Sequence, residues 1–248
     1  MWSWAPYASH MFDASAPQHA AALARLAPYA VPIAGAARRH SAVSFVAETW
    51  REWLGEAGLE DVAGRVIGRF QDGTIDRENL RQVARDGSGD LDLLVATLIW
   101  GRGKSNGRMR PHIVAALRSD RRDEVLRETG RLAATGQPAA AYRAWSLPGL
   151  RAPFFTKWLW AASERGEPEV RPLILDARVW ISLGDLGWSS LEAAGGSRRW
   201  PDRYAAYVES CHDWAAQLSD TGRDVSAEDI EYALFRANGP LDAELFLS

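Results

Sequence analysis

The sequence predicts an all-α fold. Apolar residues recur at three- and four-residue spacing through most of the chain, alternating strand patterns are scarce, and connections are short, with no repeats and no low-complexity linker. AALARLAPYA (21–30) and SAVSFVAETWREWLGEAG (41–58) carry the helical spacing, as do LDLLVATLIWG (91–101) and RPHIVAALRS (110–119). Asp123 to Ala134 and Ala139 to Trp145 continue it, followed by RYAAYVESCHDWAAQL (203–218) and VSAEDIEYALFRANGP (225–240). The last opens with Ser226 and Asp229 at capping-box spacing and stops at Asn-Gly-Pro. Only VRPLILD (170–176) reads as extended, because Pro172 disfavours helix in the residue before it.

A chain of 248 residues buries a substantial core as one large domain or two small ones. Tryptophan is over-used, with twelve copies. No apolar run approaches the roughly 20 residues of a membrane span. The start, MWSWAPYASH, has no basic stretch before an apolar one and does not read as a signal peptide. Cys211 stands alone, which excludes an intrachain disulfide, a cysteine zinc cluster and a cysteine-held iron–sulfur cluster. A cytoplasmic protein is the expectation. The net charge of −3 excludes nucleic-acid binding over the whole surface, so any DNA contact must use a local basic patch.

The stretch FFTKWLWAA (154–162) sets Lys157 among apolar side chains near the start of a helix. Apolar surroundings and the positive end of a helix both disfavour an ammonium group and lower its pKa. An ordinary lysine, with pKa about 10.4, is almost wholly protonated at neutral pH, and only the neutral amine attacks carbon. Lys157 is therefore a candidate nucleophile; the bland reading is a side chain that snorkels its head to solvent. Asp176 ends an apolar run and starts a helix. Its bland role is an N-cap, but beside a lysine nucleophile it can also accept a proton or stabilise positive charge on a sugar.

Taken together, the turn Leu147-Pro148-Gly149, Thr156-Lys157 at the head of a helix, and an apolar run ending in Asp176 resemble the helix-hairpin-helix DNA glycosylases. The match is closest to their 8-oxoguanine glycosylase branch, which separates the lysine and aspartate by 19 residues, as here, and often has an aromatic at the place of Trp180. The resemblance implies that Lys157 attacks C1′ of the deoxyribose and that Asp176 stabilises the oxocarbenium-like sugar and assists deprotonation. A Schiff base then permits strand cleavage by β-elimination. The hairpin departs from the family's LPGVG: it reads LPGLRAPFFTK, without the second glycine and four residues longer before the lysine. Gly149 and Arg151 are the expected phosphate contacts there. Arg178 stands where the branch often has a phosphate-contacting histidine, and arginine is a bidentate phosphate binder.

GRGKSNGRMRP (101–111) supplies Arg102, Lys104, Arg108 and Arg110 with Asn106 between glycines. It is no P-loop, since Leu98 stands where the first glycine would fall and a helix precedes it. A basic loop of this kind suits the filling of the gap left by an extruded nucleotide, with Asn106 and Arg108 as the wedge candidates; a solvated turn is the alternative. For the base pocket the candidates are Ala161, one turn after Lys157, and the aromatics Trp214, Tyr232 and Phe235. His112 and His212 lack partners at ligand spacing, so neither metal nor cofactor is expected. The run RSDRRDEVLRE (118–128) reads as a solvated helix face.

The resemblance implies two helical domains with a DNA cleft between them: a barrel over 45–165, and a second domain joining 1–44 to 166–248. The expected activity is a monomeric DNA glycosylase with abasic-site lyase activity on double-stranded DNA. Its base is either 8-oxoguanine, in repair, or a bulky phage base such as glucosylated 5-hydroxymethylcytosine, in anti-phage defence. The alternative is a non-catalytic helical DNA-binding module or regulator.

Overall fold

The computed structural model describes residue 12 and residues 14–104, 107–219 and 222–242. The fold is all-α. Its helices are α1 (Pro17–Leu26), α2 (Ala30–Ile33), α3 (Ala47–Glu56), α4 (Glu60–Arg69), α5 (Arg77–Arg85), α6 (Asp90–Arg102) and α7 (Arg110–Leu117). They continue with α8 (Arg122–Ala134), α9 (Pro138–Ala144), α10 (Ala152–Ser163), α11 (Ala177–Asp185), α12 (Ser190–Ala193), α13 (Trp200–Ser219) and α14 (Ala227–Ala237). Two-residue strands β1 (Val43–Ser44) and β2 (Thr74–Ile75) pair antiparallel.

Helices α6 and α10 form the centre. Leu93 to Trp100 of α6 and Trp158 to Ser163 of α10 are buried without interruption, which is the pattern of helices covered on every side. The two pack on each other, and α8 packs on α10, where Trp158 Nε1 donates to Thr129 Oγ1 at 2.9 Å. The N-terminal segment lies against the C-terminal helices. Gln18 Nε2 donates to Ser189 O at 3.2 Å, His19 and Asp213 meet at 2.6 Å, and Ala37 N donates to Asp229 Oδ1 at 2.8 Å. Ser226 and Asp229 form the reciprocal capping box at the start of α14, and Asn238 closes that helix in the left-handed conformation at φ 48°.

Three elements differ from the sequence expectation. Residues 41–46 precede α3 instead of belonging to it, because Val43 and Ser44 pair with Ile75 and Thr74. Helix α5, RENLRQVAR, was not evident because its inward stripe holds only Leu80, Val83 and Ala84 as apolar residues; Asp76 and Asn79 start it with a capping box. Helix α10 begins at Ala152, so Lys157 sits in its second turn and farther from the positive helix end than the pattern FFTKWLWAA suggested.

The segment 171–176 is extended but belongs to no sheet, and side chains take its backbone groups instead. Tyr204 Oη donates to Leu173 O at 2.7 Å, and Tyr207 Oη to Ile174 O at 2.8 Å. His212 Nε2 donates to Arg171 O at 3.0 Å, and Leu175 N donates to Thr156 Oγ1 at 3.0 Å. The chain is thereby pegged between α13 and α10 and delivers Asp176 to the start of α11.

Candidate active site

Helix α10 presents Lys157 and the pegged segment presents Asp176. Lys157 Nζ lies 4.0 Å from Asp176 Oδ2, with the lysine side chain only 13 % exposed and the aspartate 15 %. The two carboxylate oxygens divide their work: Oδ1 accepts from Arg178 N at 3.0 Å and Val179 N at 3.2 Å, capping α11, while Oδ2 faces the amine. Lys157 Nζ donates to Pro153 O at 2.8 Å and stands 5.9 Å from the centre of the Trp100 ring. Withdrawal from water holds its pKa below the ordinary lysine value. Asp176 and Glu231 oppose that shift, and the Arg77 guanidinium adds to it.

Space for the lysine comes from Gly101 of α6. A Cβ there would stand 3.0 Å from Lys157 Cδ. Gly103, at φ 55°, ends α6 in a conformation that favours glycine, and a Cβ would approach Val43 to 2.7 Å.

The pair opens onto a cavity of about 240 Å3. Trp100 and Phe235 are its large aromatic walls, and His40, Arg77, Glu231 and Arg102 supply polar groups. Glu231 of α14 is only 1 % exposed, and its Oε2 accepts from Arg77 Nη2 at 2.6 Å. Burial raises the Glu231 pKa to about 7, against the pull of Arg77. The Arg77 guanidinium is boxed by rings, with Trp100, Trp160 and Tyr232 centred 5.7, 5.2 and 5.7 Å away. Burial and the Arg77 charge lower His40 to about 4, so at neutral pH it is an uncharged imidazole whose Nδ1 donates to Ser41 O at 2.8 Å. Behind the cavity, Glu164 binds Arg81 at 3.1 Å, Arg85 at 2.6 Å and also Arg171, and so ties α5 to α10.

A family model described as "Putative 8-oxoguanine DNA glycosylase OGG-like protein" matches residues 36–235. That span runs from just before His40 to Phe235, the first and last cavity-lining positions. The chain belongs to this family. Neither curated proteins nor solved structures give a match.

In this member of the OGG-like family the hairpin joins α9 to α10. Gly149 takes φ 75°, and a Cβ would stand 2.8 Å from His112 O of α7, so glycine is required there by packing alone. Arg151 is the residue before α10; its side chain makes no capping bond and is exposed. Arg178 lies over Phe235, with the guanidinium 5.0 Å from the ring centre, at the side of the cavity. Arg102 lines the cavity, while Lys104 and Arg108 are exposed beyond it. Arg110 turns away to Glu52 at 2.7 Å and Glu56 at 2.8 Å, a pairing within the protein that competes with any phosphate. Asn106 lies outside the described residues.

Of the four expected pocket residues, Phe235 alone lines the cavity. Ala161 is fully buried in the core one turn beyond Lys157. Trp214 is stacked on His19 at 5.1 Å, with Nε1 donating to His19 O at 3.2 Å, so its ring and its polar atom are both engaged elsewhere. Tyr232 stands behind the wall, against Arg77 and His40. The sequence reading missed Arg77, Trp100, Gly101 and Glu231. Two signals were present: Arg77 is a cation in the first turn of a helix, where the dipole disfavours it, and Glu231 interrupts the apolar face of α14 four residues before Phe235.

Proposed function

We propose that the protein extrudes a modified base from double-stranded DNA and excises it through Lys157. The observation that carries this reading is the lysine–carboxylate pair at 4.0 Å, shielded from water and opening onto an aromatic-walled cavity. The uncharged amine attacks C1′ while the glycosidic bond breaks and its electron pair leaves with the base. The attacking nitrogen sheds a proton, which Asp176 is placed to receive, and the same carboxylate stabilises positive charge on the sugar. Opening of the sugar ring yields an imine between Lys157 and C1′. Loss of a 2′ proton then expels the 3′ phosphate, which is the lyase step.

Lys104 and Arg108, exposed between α6 and α7, fit the strand gap and phosphates, and Arg178 and Arg151 fit flanking phosphates. Burial of the Lys157 stem serves the reaction by shifting the amine toward its uncharged form, and in that form its hydrogen bond to Pro153 O fixes one N–H while leaving the lone pair for carbon. The base is 8-oxoguanine or a bulky phage pyrimidine such as glucosylated 5-hydroxymethylcytosine, in repair or in anti-phage defence respectively. Borohydride added during incubation with each DNA traps a covalent adduct with the wild type and none with Lys157→Ala. Wild-type protein that gives neither adduct nor base release on any of these DNAs refutes the proposal.

A further inference from the structure

Beside the active site stands a second group of aromatic and cationic side chains that the chemistry leaves unused. Asp176 caps α11, and Trp180 follows one turn later on that helix. Trp180 meets Trp200, the first residue of α13, with the ring centres 5.7 Å apart. Arg203 lies against both rings, its guanidinium 4.2 Å from the Trp200 centre and 5.3 Å from the Trp180 centre. Arg203 Nε donates to Ser190 Oγ at 2.8 Å, which holds the guanidinium in place and leaves its two terminal nitrogens for another acceptor. Trp200 is 49 % exposed, the one exposed tryptophan, tyrosine or phenylalanine among the described residues. Trp180 and Arg203, with Leu183 and Trp188, also line a cavity of about 220 Å3, so the patch is indented.

The open charge around these rings is mostly positive. From Ser189 to Arg203 the chain carries Arg198, Arg199 and Arg203 against Glu192 and Asp202. Asp202 is buried and engaged by Ser197, Arg143 and Arg199 at 2.7, 3.6 and 4.0 Å, whereas Arg198 and Arg199 are exposed. A chain of alternating anions and flat rings complements such a surface. An unpaired nucleic-acid strand is that chain, since any base stacks on an aromatic ring and arginine takes the phosphates. Position says which part of the DNA arrives here. The patch begins one turn along the helix that Asp176 starts, so it flanks the place of the extruded nucleotide. Extrusion also strips the neighbouring base of a stacking partner, and a tryptophan supplies a new one. Resting on the glycosylase reading above, we propose that Trp180, Trp200 and Arg203 form a platform for an unpaired nucleotide next to the extruded one, so that the protein favours duplexes already opened beside the target. The flanking base stacks on Trp200, and its phosphate meets the Arg203 terminal nitrogens.

The test uses the full chain and labelled duplexes carrying a tetrahydrofuran abasic analogue, which cannot form an imine with Lys157, so anisotropy reads binding alone. One duplex is fully paired around the analogue; the others carry mismatches on its 5′ or its 3′ side. The wild type should bind one mismatched duplex about tenfold more tightly than the paired one. Trp200→Ala should remove that preference, and Trp200→Phe should keep most of it. Arg203→Gln should make the fall of log affinity with log salt shallower by about 0.7. Borohydride trapping on a paired duplex with a true abasic site measures the folded, nucleophile-competent fraction of each preparation. No preference for either mismatched duplex, a preference that survives Trp200→Ala, or a salt slope unmoved by Arg203→Gln overturns the inference and leaves the nucleophile assignment standing. The peptide Asp-Asp-Asp-Trp serves as competitor: if it binds more tightly than the mismatched duplexes and depends on Trp200, the patch belongs to an acidic protein partner and the inference falls. A wild type that binds none of the duplexes and is not trapped overturns the glycosylase reading and this inference with it.

Discussion

Asp176 serves two neighbours with two oxygens, and replacing it by asparagine or alanine separates the two duties. The cap is made by Oδ1 at 3.0 and 3.2 Å from two backbone N–H groups, and alanine removes both bonds at a cost of about 1 kcal/mol. Asparagine keeps a carbonyl oxygen at that place and should stay within about 0.5 kcal/mol of the wild type. The charge on Oδ2 acts on Lys157 across 4.0 Å, a distance at which opposite charges attract by about 4 kcal/mol where the effective dielectric constant is near 20. That attraction raises the lysine pKa, so both variants should lower it further. In borohydride trapping on abasic-site DNA, the limb of the pH profile set by lysine deprotonation should therefore move to lower pH in both. On base-containing DNA the same variants should lose about 100-fold or more, because no carboxylate supports the sugar or takes the proton. Urea melts measure the first effect and trapping against pH the second. An Asp176→Ala variant as stable as the wild type, or a limb that stays in place or moves up, would show that the carboxylate does not act as the geometry implies.

Lys157→Met should abolish trapping and raise stability at pH 7, since the folded wild type must hold an amine out of water. The folded lysine pKa lies below its unfolded value, so between the two the unfolded chain binds the proton more tightly and wild-type stability climbs with pH. The gap between variant and wild type in urea melts should accordingly narrow toward pH 10. Gly101→Ala puts a methyl group 3.0 Å from the Lys157 stem and should slow trapping about tenfold while costing less than about 1 kcal/mol, because the stem moves more easily than the helix. Gly149→Ala combines a left-handed backbone with a contact of 2.8 Å on His112 O; thermal melts should show a loss of about 2–3 kcal/mol. Glu164→Ala takes one carboxylate from Arg81, Arg85 and Arg171, of which Arg81 and Arg171 keep Glu228, and should cost about 1–3 kcal/mol by the same measurement.

Local patterns made part of this molecule legible. The Ser226/Asp229 box, the apolar run of α6 and the nineteen-residue separation of Lys157 from Asp176 are all short-range features, and each appears where the sequence puts it. The cavity was illegible for a physical reason. His40, Arg77 of α5, Trp100 of α6, and Glu231 and Phe235 of α14 come from four separate parts of the chain between residues 40 and 235, and only tertiary packing joins them. Trp214 illustrates the converse. An aromatic ring on a late helix fits a pocket wall and a core position equally well in sequence, and packing on His19 decides for the core. The strand pair β1–β2 was hidden because two residues per strand leave no alternation to detect.

The hydrogen bond from Leu175 N to Thr156 Oγ1 joins the residue before the aspartate to the residue before the lysine. The reacting groups are thus fastened to each other through their covalent neighbours, with no intervening helix in the linkage. On the proposed reading, a rearrangement of the helices on binding DNA carries Lys157 and Asp176 along together through this bond. If that reading holds, recognition is free to involve motion while the spacing of the lysine and the aspartate is kept.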